Sequence, residues 1–245
     1  MNGLRRRALI IGCPDAQIPG VRDDMENYPT FFKSAAGGGW FSSEITVLES
    51  PTVARVKSEI QALQTTADYS VVVFAGHGRY SPADGCGMLL LSPGVEIDEN
   101  ELKFGASRRT VIIDACRVLP TNILLDSVRA SLEKYAQVGD IQASRRLFDE
   151  HLSRCSGGIA MMYGCAIGEG AQEERGKGGY YSAALINEGR RWGESSLTTP
   201  GGVLTVSDAH DAAEAWVKRN TGSEQNPHGA FPRNLPRFPF AVRAR

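Results

Sequence analysis

At 245 residues, with 42% apolar and 22% charged content, the chain can bury the core of one α/β domain, or of two small ones at most. The formal net charge of −1 leaves no electrostatic footprint for nucleic acid or an anionic membrane surface. Five cysteines, at 13, 86, 116, 155 and 165, make neither a CxxC pair nor an even framework, which suits a reducing compartment. The apolar run 8–11 is too short for a leader core, and nothing approaches membrane-spanning length. The expectation is a cytoplasmic chain made without a cleaved leader.

In chain order, residues 6–11 predict a strand closed by Gly12-Cys13-Pro14. A loop over 14–20 leads into a helix over 21–34 that contains Pro29, and a glycine-rich link at 35–39 precedes a short strand at 44–48. Ser50 and Pro51, followed by helix formers to Gln64, predict a capped helix with proline in its first turn. Strands follow at 69–75 and 109–114, separated by an excursion hairpin around 88–91 and a short helix near 98–104. Residues 119–156 are rich in charge and helix formers, and 158–163 resumes a strand. Helices near 179–188 and 207–219 and a last edge strand at 237–242 complete the pattern. Strands alternating with helices mean a mostly parallel sheet of about six strands, with helices on both faces.

Two strand ends carry chemistry. Tyr69-Ser-Val-Val-Val-Phe-Ala-Gly-His77-Gly78 and Arg109-Thr-Val-Ile-Ile-Asp114-Ala-Cys116-Arg117 are β-branched runs suited to strands buried on both faces. Ligands and chemistry gather beyond the carboxyl ends of such strands. One end offers a histidine between glycines and the other a cysteine, the pairing that an activated thiol nucleophile requires. A free cysteine has a pKa of about 8.5 and needs a base to become a thiolate at neutral pH. Bare backbone at Gly78, with the Cys116 amide, is suited to hold an oxyanion. Against this stand a buried apolar cysteine and a histidine that merely occupies a turn.

These residues resemble the caspase and metacaspase superfamily of cysteine peptidases: His-Gly after one hydrophobic strand, Asp-x-Cys after the next. The resemblance extends to Ala8-Leu-Ile-Ile-Gly12, to Ile18-Pro-Gly-Val-Arg-Asp-Asp24, to 163–173 with 178–186, and to Gln225-Asn-Pro227 with Phe238-Pro-Phe240. It implies a single α/β domain over 1–245, a caspase-like three-layer sandwich. Residues 1–118 would then be large-subunit-like, 119–156 an intersubunit-like helical segment, and 157–245 small-subunit-like.

The same resemblance makes Cys116 the nucleophile and His77 the base of an endopeptidase. It places Asp24 and Asp114 in an acidic pocket that takes arginine, or lysine, before the scissile bond; a carboxylate pairs bidentately with guanidinium. Asp23, next door, can exchange with Asp24 by a one-residue slip. The plainer readings are a first-turn acid at a helix start for Asp23 and Asp24, and a cap on backbone amides for Asp114. Val21 and Ala75 predict apolar pocket walls, and Arg117 is placed either to lower the thiol pKa or to point outward. Arg22, Arg79 and Arg117 do not match the converging arginines of an aspartate-specific pocket.

Ser144-Arg145-Arg146 and Arg154 would suit cleavage by a sister molecule, or else form a solvated helix face. Metacaspases often need calcium, but Asp84, Asp98, Glu99 and Asp126 fall in no regular ligand spacing. No other cofactor and no zinc is expected, since His151, His210 and His228 lack ligand context. Residues 170–178 read as a mobile loop bordering the active site. The implied partners are protein substrates with an exposed Arg or Lys and an upstream activating protease or regulator. The implied setting is a bacterial proteolytic cascade such as stress or phage defence. The competing class is a catalytically silent caspase-like scaffold.

Overall fold

Five apolar strands run parallel through the centre of the protein, and a short sixth strand runs antiparallel at one edge. The computed structural model describes residues 3–118, 139–174, 176–195 and 197–244. The strands are β1 (Arg6–Gly12), β2 (Ile45–Glu49), β3 (Tyr69–Ala75), β4 (Gly78–Ser81), β5 (Cys86–Ser92), β6 (Val95–Asp98), β7 (Arg108–Asp114), β8 (Gly158–Tyr163), β9 (Glu173–Glu174), β10 (Gly178–Gly179), β11 (Gly202–Thr205), β12 (His228–Ala230) and β13 (Pro239–Arg243). The helices are α1 (Val21–Lys33), α2 (Val53–Thr66), α3 (Ile141–Arg154), α4 (Tyr180–Glu194) and α5 (Val206–Asn220). The central sheet has the order β12-β8-β7-β3-β1-β2.

The side-chain period of two divides the core between the faces. Ala8, Ile10, Val71, Val73, Ile112 and Met162 pack beneath α1, α3, α4 and α5, in a cluster rich in aromatic rings such as Phe31, Phe148 and Tyr181. Their neighbours Leu9, Ile11, Val72, Phe74, Val111 and Ile113 face α2 and the small β4-β5-β6 sheet. The result is the three-layer α/β sandwich expected, with one outer layer part helix and part antiparallel sheet.

Register sets the strand ends level. Gly12 pairs with Ala75, and Ala75 with Asp114. The segments that leave β1, β3 and β7 therefore emerge side by side, and Asp15, His77 and Cys116 lie within three residues of that line.

The structure corrects several boundaries. The α2 cap is Thr52, whose side chain accepts from the Arg55 amide at 3.2 Å, so Pro51 precedes the helix rather than occupying its first turn. Strand β13 does not edge the central sheet but pairs antiparallel with β11. The true edge is β12, a three-residue strand too short and exposed to show in the sequence pattern. Helix α3 is capped by Asp140, which accepts from the Ala143 amide at 3.0 Å. The remainder of the expected helical segment, 119–138, lies outside the described residues. Arg145 is not solvated: it grips Glu44 at 2.6 Å and lies over the Phe41 ring. Arg146 and Arg154 are exposed, but within α3. No helix among the described residues is long and apolar enough to cross a membrane.

Candidate active site

His77 leaves the sheet two residues past Ala75. Its carbonyl accepts from the Leu90 amide at 3.0 Å, which ties the turn to β5. Its Nε2 lies 2.9 Å from Asp15 Oδ2. Asp15 Oδ1 in turn accepts the Gln17 and Ile18 amides at 2.7 and 3.1 Å. Partial burial works against the Asp15 carboxylate, but those amides and the imidazole hold its pKa below the ordinary value.

Cys116 leaves β7 two residues past Asp114, the Cα partner of Ala75. Its sulfur accepts the Ala171 amide at 3.2 Å and lies 3.6 Å from the Ala171 carbonyl. Thiol and imidazole thus occupy one sheet edge, but in this state each turns to another partner. Burial, with the nearby Asp114 and Glu173 charges adding to it, pushes the thiol pKa up. A Cβ on Gly78 would lie 2.6 Å from the Cys116 carbonyl, which explains the bare backbone between the two groups.

Arg117 does not point outward. It is buried, stacks over Tyr163 at 4.3 Å and reaches Glu99 at 3.4 Å and His228 Nε2 at 3.3 Å. The other arginines considered are also engaged, Arg22 with Glu49 and Arg79 with Glu96.

Asp24 and Asp114 converge at the N-terminus of α4. Asp24 Oδ2 accepts the Gly179 amide at 3.0 Å and Asp114 Oδ2 the Ser182 amide at 2.9 Å. The capping expected as the plainer reading of Asp114 is therefore present. It uses only half of each carboxylate. Asp24 Oδ1 and Asp114 Oδ1 are buried without a hydrogen-bond partner. Desolvation first, and then the Asp114 charge, raises the Asp24 pKa well above the ordinary value; desolvation also raises that of Asp114. Ile18, Val21 and Ala75 form a small apolar cluster with Met25. Asp23 is the outward neighbour and accepts the Gly176 amide at 2.8 Å.

The segment expected as a mobile loop is a short hairpin, β9–β10, seated on these acids. A Cβ at Gly178 would fall 2.0 Å from Asp24 Oδ1, and one at Gly179 2.3 Å from Asp114 Oδ2. Glu173 Oε1 accepts the Gly20 amide at 3.1 Å. Desolvation, with Asp114, Asp23 and Asp15 nearby, lifts the Glu173 pKa to about 7. Asp24 and Asp114 are thus buried beneath the hairpin.

His77 also lines an open cleft of about 680 Å³, walled by Met88, Leu90, Pro93 and Val118. Asp15 and Glu173 were not foreseen. The one available signal was that Asp15 follows β1, which ends at the same edge as the histidine strand.

Among the described residues, Asp84, Asp98 and Glu99 lie around Cys86 but form no group with metal-ligand spacing. Asp84 accepts from Ser81 Oγ, Asp98 from the Asn100 amide, and Glu99 from Arg117, while Asp126 lies outside the described residues. His210, Asp211 and Glu214 gather on α5, with His210 Nε2 3.7 Å from Glu214 Oε2 and its Nδ1 against the Tyr181 hydroxyl.

The family model described as the caspase domain matches residues 5–234. Among solved structures, the crystal structure of caspase-1 from Spodoptera frugiperda is similar with a TM-score of 0.58 at 15% identity, covering 94% of this chain and 89% of that one. At this identity the likeness is one of fold. No curated protein matches the chain.

Proposed function

Since the chain belongs to the caspase-domain family of cysteine peptidases, we propose that it is a cysteine endopeptidase that cleaves proteins after arginine, and less readily after lysine. The level ending of β3 and β7, which brings His77 and Cys116 to one edge, is the observation that carries this reading. Once the thiol turns from Ala171, His77 removes its proton and the thiolate attacks the scissile carbonyl. The Gly78 and Cys116 amides receive the oxyanion. Collapse breaks the C–N bond, and His77 returns the proton to the leaving amine. Water, deprotonated by the same imidazole, then hydrolyses the thioester and regenerates the thiol.

The specificity rests on Asp24 and Asp114. Two orphaned carboxylate oxygens at one buried spot suit the forked donors of a guanidinium better than the single point of an ammonium. Glu173 adds a third carboxyl at the rim.

The seated hairpin supports a zymogen. A basic side chain reaches the acids only if β9–β10 lifts, a step we assign to an activating protease, to a regulator, or to calcium acting elsewhere. Cleavage within 119–156 would separate the large-subunit-like and small-subunit-like parts. We place the enzyme in the cytoplasm, in a regulated bacterial cascade such as stress or phage defence. Its partners are protein substrates with an exposed Arg or Lys, without nucleic acid or membrane. The closed pocket and the turned thiol also favour the second reading, a silent scaffold.

Fluorogenic peptides ending in Arg, Lys or Asp, with and without calcium and after limited proteolysis, separate these. Cleavage after Arg that disappears in Cys116→Ala supports the proposal. Cleavage after Asp overturns the roles of Asp24 and Asp114. Failure of Cys116 to react with an arginyl electrophile in every condition leaves the scaffold.

A further inference from the structure

The cleft beside His77 has no role in the chemistry above, and its position suggests one. Resting on the endopeptidase reading, we propose that it is the subsite for the residue that follows the scissile bond, and that it takes an apolar side chain.

The direction of the reaction fixes which cavity serves which half of the substrate. The acyl half stays on Cys116, and its side chain points to the acids reached from β7. The amine half leaves with a proton from His77, so it must lie against the imidazole. The cleft meets that requirement: His77 and Gly78 line it, whereas Cys116, Asp114 and Asp24 do not.

Its walls define the occupant. Met88 and Leu90 come from β5, Pro93 from the following turn and Val118 from the segment beyond the nucleophile. Among the described residues, the charges that line it are paired. Arg79 is held by Glu96 through two bonds of 2.8 and 2.6 Å, and Asp15 by His77 and two amides. An anionic occupant would meet the Asp15 and Glu96 carboxylates and would lose its water; an apolar one gains by burial.

The wall is also preformed. The Tyr80 amide bonds the Val118 carbonyl at 3.1 Å, the Leu90 amide bonds the His77 carbonyl at 3.0 Å, and β4 and β6 flank β5 on either side. Unlike the acidic pocket, the cleft therefore accepts its ligand before activation.

That difference provides the test. Tetrapeptides representing the leaving half, with a free amino-terminal Leu or Asp, are titrated into the intact chain while the methyl signals of Met88 and Leu90 are followed. The Leu peptide should shift both signals at roughly tenfold lower concentration than the Asp peptide. Met88→Lys, read at Leu90, should reverse the order. Met88→Gln, with its similar length and no charge, should narrow the preference if the lysine variant does not fold. Equal titration by the two peptides, or no shift with either, overturns the proposal. Cleavage of Arg-Leu and Arg-Asp substrates by the activated enzyme is scored separately. No cleavage of either, with the methyl shifts intact, removes the peptidase reading and leaves the apolar preference of the cleft standing.

Discussion

The two regions that flank His77 and Cys116 are built on opposite principles. The acidic one is made of carboxylates and backbone amides, is closed by a hairpin, and leaves two carboxylate oxygens unsatisfied. The other is open, apolar along its wall and satisfied in its charges. On the endopeptidase reading proposed above, the buried acids make access the variable on one side, the apolar wall offers only weak recognition on the other, and control falls to the acyl subsite.

The largest effect tests the boundary between the regions. Cys116→Ala should lower kcat/KM for arginyl peptides by at least about a thousandfold, and His77→Ala by about a hundredfold to ten-thousandfold, in a fluorogenic assay of activated enzyme. Cys116→Ala, which lies outside the cleft, should still show the Met88 methyl shift with the Leu tetrapeptide. Loss of that shift in Cys116→Ala would mean that the regions are not independent.

Next come the acids. Asp114→Asn keeps an acceptor for the Ser182 amide and removes the charge, so it should cost about a hundredfold in kcat/KM for Arg peptides and little in stability. Asp114→Ala also removes the cap and should cost about 1–2 kcal/mol of stability in a denaturant titration. An Asn variant that cleaves after Arg unimpaired would reduce Asp114 to a capping residue.

The hairpin should respond to pH, with a sign fixed by its carboxyls. Glu173 goes from an ordinary value of 4.5 to about 7 when the pocket is closed, and Asp24 and Asp114 are raised too. Closure therefore favours the protonated forms. Its stability is fully present below about 4.5 and is lost as pH rises through about 7. The amide protection factors of Gly178 and Gly179, corrected for intrinsic exchange, should fall several-fold between pH 5.5 and 8. Factors that rise over that range would contradict the closed-pocket account.

The sheet and its two reactive strand ends were legible because doubly buried parallel strands leave continuous β-branched runs, and the chemistry sits where those runs stop. Strand β12 was not, because three exposed residues carry no pattern. The pairing of β11 with β13 was hidden for another reason: it joins segments far apart in the chain. The capping of α4 by Asp24 and Asp114, and the hairpin laid over them, also depend on tertiary approach. The glycines at 178 and 179 show as glycines in the sequence, but only the fold reveals that each is bare to admit a carboxylate oxygen.

The smallest effect concerns Asp15, which belongs to both halves of the comparison: it lines the cleft and holds the base. Its carboxylate is fixed by two amides on one oxygen, leaving the other free to fix the His77 ring. This is a positioning role, since Asp15 acts on the substrate only through the imidazole. Asp15→Asn preserves an acceptor oxygen and should lower kcat by no more than about threefold, whereas Asp15→Ala leaves the ring unheld and should lower it about tenfold. KM for arginyl peptides should stay unchanged in both, because the acidic pocket is untouched. Replacing Leu by Asp after the scissile bond should hurt Asp15→Ala less than the native chain, since one negative charge at the cleft has gone. A rise in KM without a fall in kcat would assign Asp15 to the cleft wall alone and leave His77 positioned by its backbone bond to Leu90.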